Sequence, residues 1–314
     1  MKLVENEFIK FMEKFDENSF RIILEDGEHL IGDGEPAFTV KINKIPKMMD
    51  MLTSTSITLG EAYMNGDIEI EGDLYTALNM FLGQMGKFST DTKKLKNIIF
   101  TSKSKANQKK EVSSHYDIGN DFYKMWLDET MSYSCGYFKN ENDTLYQAQC
   151  NKVDRILEKL NLSDGMTLCD IGCGWGFLLI EAAKKYNIKG VGITLSKEQK
   201  AKFEQRIKEE NLSDRLEVKL LDYRDLPKQH MEFDRVVSVG MIEHVGRGNY
   251  EEFMQCVKSV LKQGGVFVLH FISALKEYPG DAWVKKYIFP GGVIPSLREI
   301  MQIAGELRFY TVDV

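Results

Sequence analysis

From about residue 145 the chain alternates short apolar runs with longer amphipathic ones, and this alternation leaves few folds open. MTLCDIG, KGVGITL, LEVKLLD, FDRVVSVG and GVFVLHFI are nearly continuous in apolar residues. QAQCNKVDRILEKLN, FLLIEAAKKYN, SKEQKAKFEQRIKEEN and YEEFMQCVKSVLKQ, set between them, carry helical spacing. Strands that are apolar on both faces belong in a sheet covered on both faces. Intervening helices make such strands parallel. The expectation is a doubly wound α/β domain over residues 113–314, with no internal repeat.

The chain ahead of it has a different texture. MKLVENEFIKFMEKF places Leu3, Val4, Phe8, Phe11, Met12 and Phe15 at helical spacing. The acids among them argue against a secretory signal. FRIILEDGEHLIGDG reads as strand, turn at Asp26-Gly27 and strand, and AFTVKI as a further strand. LGEAYMNGDIEIEGDLYTALNMFLGQM reads as a loop and then a helix. Residues 1–92 are thus expected to form a small α+β domain, and the polar stretch 101–113 a connector. No run of about 18 apolar residues appears, so no membrane span is expected. Five cysteines without a paired framework point to a reducing compartment. Cys169 and Cys173 lack zinc spacing, so no metal is expected.

Charge is segregated. The net charge of −6 combines an acidic first part with KKLKNIIFTSKSKANQKK (93–110), which holds seven lysines and no acid. The plain reading is a solvated basic linker over 93–112. The sharper one is contact with the anionic headgroups of a phospholipid bilayer, where each lysine contributes about 1 kcal/mol. Nucleic acid fits poorly, because Phe100 is the only aromatic residue there and arginine is absent.

The first strand of the second domain ends in DIGCGWG, with Asp170 followed by Gly172, Gly174 and Gly176. Such a turn lets a ligand approach bare backbone at a helix N-terminus. A dinucleotide enzyme wants G-x-G-x-x-G and an acid about 20 residues later. Here the spacing is G-x-G-x-G, and the second strand ends in Gly192-Ile193-Thr194-Leu195-Ser196. S-adenosylmethionine fits better. Asp170 would sit near its methionine end or orient the turn, Asp222 would accept from the adenine amino group, and Tyr223 would cover the ring.

Several longer stretches make the pattern specific. They are SSHYDIGNDFYKMWLDETMSYSCGYF (113–138), DIGCGWG (170–176), GVGITLSKEQ (190–199), DYRDLP (222–227), FDRVVSVGMIEHVG (233–246), KKYIFPGG (285–292) and the upstream LGEAYMNGDIEIEG (59–72). Together they resemble the cyclopropane-fatty-acyl-phospholipid synthase family, which includes the mycolic acid cyclopropane synthases. The resemblance implies a Rossmann-like class I methyltransferase sheet with a smaller N-terminal α+β domain that faces lipid. It implies that a cis double bond of a phospholipid acyl chain takes the methyl of S-adenosylmethionine, and that bound bicarbonate accepts the proton as the ring closes. By the same resemblance Cys135, Glu243, His270 and the backbone around Ile272 hold bicarbonate. Tyr133, Ser134, Gly172, Gly174, Thr194, Gln199, Tyr223 and Arg224 contact S-adenosylmethionine. The resemblance further implies a cytoplasmic enzyme on the inner face of the membrane, and a homodimer. FYTVDV looks like a sixth strand; the family continues into a seventh, with a further bicarbonate-contacting tyrosine for which this sequence offers no position.

The chemistry gives these residue types a reason. An alkene is a poor nucleophile, so it must be aligned with the methyl group and shielded from water. Tyr116, Phe122, Tyr123, Trp126, Tyr133, Tyr137 and Phe138 crowd the segment before the sheet and suit an apolar tunnel. Glu243 follows the fourth strand and His270 ends the fifth, so neighbouring strands deliver both to one rim. His244 is expected to be structural, pointing away from its neighbour. Two other readings compete: an N-methyltransferase of a small amine, and a membrane-surface lipid-binding protein without turnover.

Overall fold

The computed structural model describes residues 2–88, 104–277 and 280–314. The chain forms two compact units. The first comprises residues 1–100 and 280–288, the second 101–279 and 289–314. The division expected near residue 113 did not foresee that 280–288 belongs with the first.

In the first unit, helix α1 (Lys2–Met12) buries Phe8, Phe11 and Met12 but leaves Leu3 and Val4 exposed. Strands β1 (Phe20–Leu24), β2 (Gly27–Ile31), β3 (Phe38–Ile42) and β4 (Ile68–Gly72) lie in the order β2-β1-β3-β4. β1 is antiparallel to β2 and parallel to β3, and β3 is antiparallel to β4. Phe20 stacks on Phe38 with ring centroids 5.3 Å apart, beside Phe81. Helices α2 (Met48–Thr53), α3 (Thr55–Met64) and α4 (Leu74–Gly83) complete it. The stretch read as a loop before a helix instead holds the end of α3, all of β4 and the Asp73 cap of α4, whose carboxylate accepts from the Thr76 amide at 2.9 Å.

The second unit opens with α5 (Lys105–Tyr116), where a connector was expected. Its Ala, Gln, Lys and Glu residues are good helix formers, and polarity alone hid this. Lys93, Lys94, Lys96 and Lys103 of the basic block lie outside the described residues, while the Lys105 ammonium pairs with the Asp225 carboxylate. After α6 (Asn120–Lys124) comes α7 (Leu145–Leu160), opened by a reciprocal cap between Thr144 and Gln147. The sheet is β5 (Thr167–Ile171), β6 (Lys189–Thr194), β7 (Leu216–Leu220), β8 (Phe233–Val239) and β9 (Leu261–His270), all parallel, in the order β7-β6-β5-β8-β9. Helices α8 (Phe177–Lys185) and α9 (Lys197–Glu209) pack with α7 on one apolar cluster, around Leu157, Leu179 and Phe203. A second cluster joins α10 (Ile242–Val245), α11 (Tyr250–Val260) and the helix Leu297–Glu306 around Phe253, Val257 and Ile300. The doubly wound expectation holds for this sheet.

FYTVDV is not a strand. Tyr310 and Val312 are more than nine-tenths exposed and pair with no neighbour among the described residues. β-propensity of this kind needs a pleated neighbour to pack against.

The segment 280–288 carries α12 (Ala282–Tyr287), with Asp281 accepting from the Val284 amide at 3.0 Å. Within the first unit its Trp283 ring lies on Gly60 of α3, where a β-carbon would stand 2.5 Å from the indole. Glu61 accepts from the Tyr287 hydroxyl at 2.6 Å and pairs with Lys286. Among the described residues no helix is long and apolar enough to cross a membrane.

Candidate active site

The turn after β5 is built for close approach. Gly172 and Gly176 have φ of +83° and +84°, and a β-carbon on Gly176 would come within 2.0 Å of the Phe203 ring. The amides of Gly172 and Cys173 both donate to the Ile193 carbonyl at 3.0 Å, which ties the turn to the end of β6. A cavity opens above it. Asp170, Gly172, Gly174 and Gly176 line it. So do Thr194, Gln199, Asp222, Tyr223, Arg224, Tyr133 and Ser134. The cofactor residues expected from the sequence therefore meet in one place.

Their bonding qualifies individual roles. The Asp222 carboxylate accepts from Arg224 Nε and Nη2 at 2.8 and 2.7 Å and from the Arg224 amide at 3.0 Å. Oδ2 takes only one of these bonds and keeps a lone pair that a further donor could use. The Thr194 hydroxyl donates to Gln199 Oε1 at 2.7 Å, which fixes that amide. The Tyr223 hydroxyl is buried without a partner. So is Asp170 Oδ1, and burial pushes the Asp170 carboxyl up to about 7, against the pull of Lys152.

Of the second set, Glu243, His270 and Ile272 lie at or just past the ends of β8 and β9 and Cys135 lies in the segment before α7, and none of them lines this cavity. α10 follows β8, and Glu243 Oε1 accepts from the Ile272 amide at 2.9 Å while Oε2 is buried without a partner. Burial raises the Glu243 carboxyl, partly offset by that amide. The carbonyl of His270 accepts from the Gly240 amide at 2.9 Å, and its Nδ1 is buried and unpartnered. Burial, then the Lys152 charge, lowers the His270 imidazole. Cys135 and Ile272 are exposed.

His244, expected to be structural and to point away from Glu243, forms part of the cavity wall, which Glu243 does not. Its Nε2 and the Tyr116 hydroxyl are hydrogen-bonded at 3.2 Å, and burial followed by the nearby His115 lowers it to about 4, so it is neutral near pH 7. The aromatic segment divides. Tyr116 and Tyr133 face the cavity, Tyr123 is core with its hydroxyl on the His115 carbonyl at 2.6 Å, and Phe122, Trp126, Tyr137 and Phe138 are exposed.

Lys152 was missed. It lies on α7 in a buried row with Ala148, Gln149, Val153, Ile156 and Leu157, and it lines the cavity. A lysine inside an apolar stripe was the available signal.

A family model described as mycolic acid cyclopropane synthetase matches residues 103–314, and one for a domain of unknown function matches residues 8–93. Among curated relatives, a "Probable fatty acid methyltransferase" of Pseudomonas putida is 38% identical over 312 residues, covering 94% of this chain and 76% of its own length. The "Cyclopropane-fatty-acyl-phospholipid synthase" of Escherichia coli (strain K12) is 38% identical over 307 residues, covering 95% and 78%. Among solved structures, the cyclopropane synthase MmaA2 of Mycobacterium tuberculosis superposes with a TM-score of 0.61 at 33% identity, over 68% of this chain and 77% of that one. Coclaurine N-methyltransferase, at 23% identity and a TM-score of 0.60 over 82% and 75%, shares the fold. With a glycine turn, a cavity at the strand ends and matches of this extent, the chain belongs to the cyclopropane synthase family of S-adenosylmethionine-dependent methyltransferases.

Proposed function

We propose that this enzyme transfers a methylene from S-adenosylmethionine to the cis double bond of a phospholipid acyl chain and closes a cyclopropane ring, with bicarbonate as the proton acceptor. The observation that carries the reading is the pair of buried, unpartnered atoms Glu243 Oε2 and His270 Nδ1, beside a Glu243 Oε1 already held by the Ile272 amide. Buried polar atoms are rarely left without partners, so two of them at adjacent strand ends ask for a small polar ligand. Bicarbonate offers both an acidic hydroxyl and accepting oxygens. Glu243 would take the hydroxyl, and His270 and the backbone near Ile272 would donate to the rest, with Cys135 at the exposed side. Glu243 is then an anchor that aims the base.

The glycine turn and the unpartnered Asp170 Oδ1 fit S-adenosylmethionine in the same sense. That cofactor supplies an electrophilic methyl group, and one proton must leave for the ring to close. The protein's share is alignment and exclusion of water. Tyr116 and Tyr133 wall the cavity with ring faces that can stabilise a cation, and the neutral His244 adds no positive charge there. The lysine-rich stretch 93–110 would bring the protein to an anionic bilayer surface, with Lys105 held back by Asp225.

Incubation with S-adenosylmethionine, bicarbonate and anionic vesicles carrying cis-monounsaturated chains tests this. The expected product is a fatty acid heavier by one CH₂ with its double bond gone. Methylated amines with unchanged lipid would overturn it. Vesicle binding should weaken as salt rises.

A further inference from the structure

The short helix α10, which carries Glu243, is pinned at both ends to one stretch of chain, residues 293–299. At its front the Glu243 carbonyl accepts from the Val293 amide at 2.8 Å. Past its end Arg247 forms a fork with Glu299, Nε to Oε1 at 2.6 Å and Nη2 to Oε2 at 3.1 Å. Arg247 stands between Gly246 and Gly248, whose φ of +80° and +93° leave the turn little stiffness of its own. Two parallel N–H···O bonds to a carboxylate fix direction as well as distance. A helix of a single turn cannot hold its own axis, so these outside anchors set where Glu243 points.

Glu299 is a junction. Its Oε2 also accepts from the Ser296 amide at 3.0 Å, and its own amide donates to Ser296 Oγ at 3.1 Å, closing the cap of the helix Leu297–Glu306. The buried Ser296 hydroxyl donates onward to Glu277 Oε1 at 2.6 Å, and Glu277 takes Arg298 on both oxygens at 3.1 and 2.6 Å. The Ala274 amide donates to the Pro295 carbonyl at 2.9 Å. Residues 272–277 are therefore stitched to 293–299, and the first of them, Ile272, gives its amide to Glu243 Oε1. The bonds run in a closed circuit: Glu243 to Val293, along the chain to Pro295, across to Ala274, and back through Ile272 to Glu243. Burial opposes ionisation of Glu299, and the bonds from Arg247 and the Ser296 amide outweigh it, holding that carboxyl below its ordinary value. The fork is charged at neutral pH.

We propose that Glu299, acting through Arg247, is a positioning residue for the reaction: it holds α10 along residues 293–299 so that the Glu243 carboxylate keeps its aim at the Ile272 amide and at bicarbonate. Glu299 itself touches no reacting atom. The proposal rests on the reading of Glu243 as the bicarbonate anchor and goes beyond it by naming what keeps that anchor still. A pair that served only the helix Leu297–Glu306 would act on folding and leave bicarbonate use untouched.

Amide exchange followed residue by residue on the whole protein tests the positioning. Bicarbonate kinetics on anionic vesicles with cis-monounsaturated chains test its consequence. Glu299→Gln keeps an oxygen for the Ser296 cap and loses the charged fork. It should speed exchange of the Ile272 and Val293 amides roughly tenfold, with S-adenosylhomocysteine binding unchanged. The apparent KM for bicarbonate should rise roughly three- to tenfold while kcat at saturating bicarbonate holds. Arg247→Ala should do the same, and the double variant no more than either change alone, because the two act as a unit. Glu299→Gln serves by itself where Arg247→Ala does not fold. Unchanged exchange at both amides, a uniform rise across the chain, additive effects, or a fall in kcat with the bicarbonate KM unmoved would each overturn the proposal. Absence of turnover by the unaltered protein would overturn the reaction beneath it, and the exchange comparison would still decide whether the pair holds Glu243.

Discussion

Asp170 and Lys152 are buried ionisable groups that line the same cavity without an ion pair between them, and burial shifts each towards its neutral form. Asp170 rises from 3.8 to about 7. Between about pH 4 and 7 the folded chain keeps a proton that the unfolded chain has lost, so this group's stabilisation is complete below pH 4 and gone above 7. Melting temperatures measured across that window should fall for the unaltered protein relative to Asp170→Asn, by an amount worth about a few kcal/mol. Parallel curves would refute it. Lys152 falls from 10.5 to about 8, mainly by desolvation against the opposing fields of Asp128, Cys135 and Asp170. There the unfolded chain binds the extra proton, so stability should rise from about pH 8 to 10.5, and Lys152→Met should flatten that rise. Glu243→Gln removes an anchor for the proposed base; turnover should drop roughly a hundredfold or more, with S-adenosylhomocysteine binding intact. A variant turning over normally would remove Glu243 from the mechanism. At this scale the sequence revealed residue types better than residue states. DIGCGWG and GMIEHVG were legible because turns demand glycine and strand ends collect function. That Asp222 is bonded to Arg224, or that His244 reaches the cavity wall, depends on contacts no motif records.

Helix α7 ties two scales together. Its reciprocal cap, with Gln147 N to Thr144 Oγ1 at 3.2 Å and Thr144 N to Gln147 Oε1 at 2.7 Å, fixes where the helix begins and therefore which face carries Lys152. Thr144→Ala should cost about 1 kcal/mol in denaturant unfolding. Gly176 is less forgiving, since a side chain there meets both a positive φ and the Phe203 ring. Gly176→Ala should cost about 3 kcal/mol or more, and a loss below about 1 would show that the α9 contact yields. Elements with strong apolar continuity, β5 through β9, could be read directly. The failures were places where composition and periodicity disagree: α5 is polar enough to pass for a connector, and β4 is a short strand of alternating acids between two helices. FYTVDV failed the other way, because its strand-like residues have no strand to pair with among the described residues.

On the scale of the whole molecule, residues 280–288 belong with the first unit although the chain reaches them only after most of the second. Trp283 on Gly60 and the Glu61 bonds to Tyr287 and Lys286 hold them there. Gly60→Val should displace the indole and shift Trp283 emission towards that of a solvated ring; an unchanged spectrum would show that the contact is dispensable.

This threading also bears on heredity. A recombination event that cuts once near residue 100 would carry off a first unit missing a piece of itself, and would leave the second carrying α12 with no surface to cover. The two units are therefore poor cassettes. A functional exchange with a relative has to move both stretches of gene together, so Gly60 and Trp283 should change as a couple when such chimeras are selected for solubility.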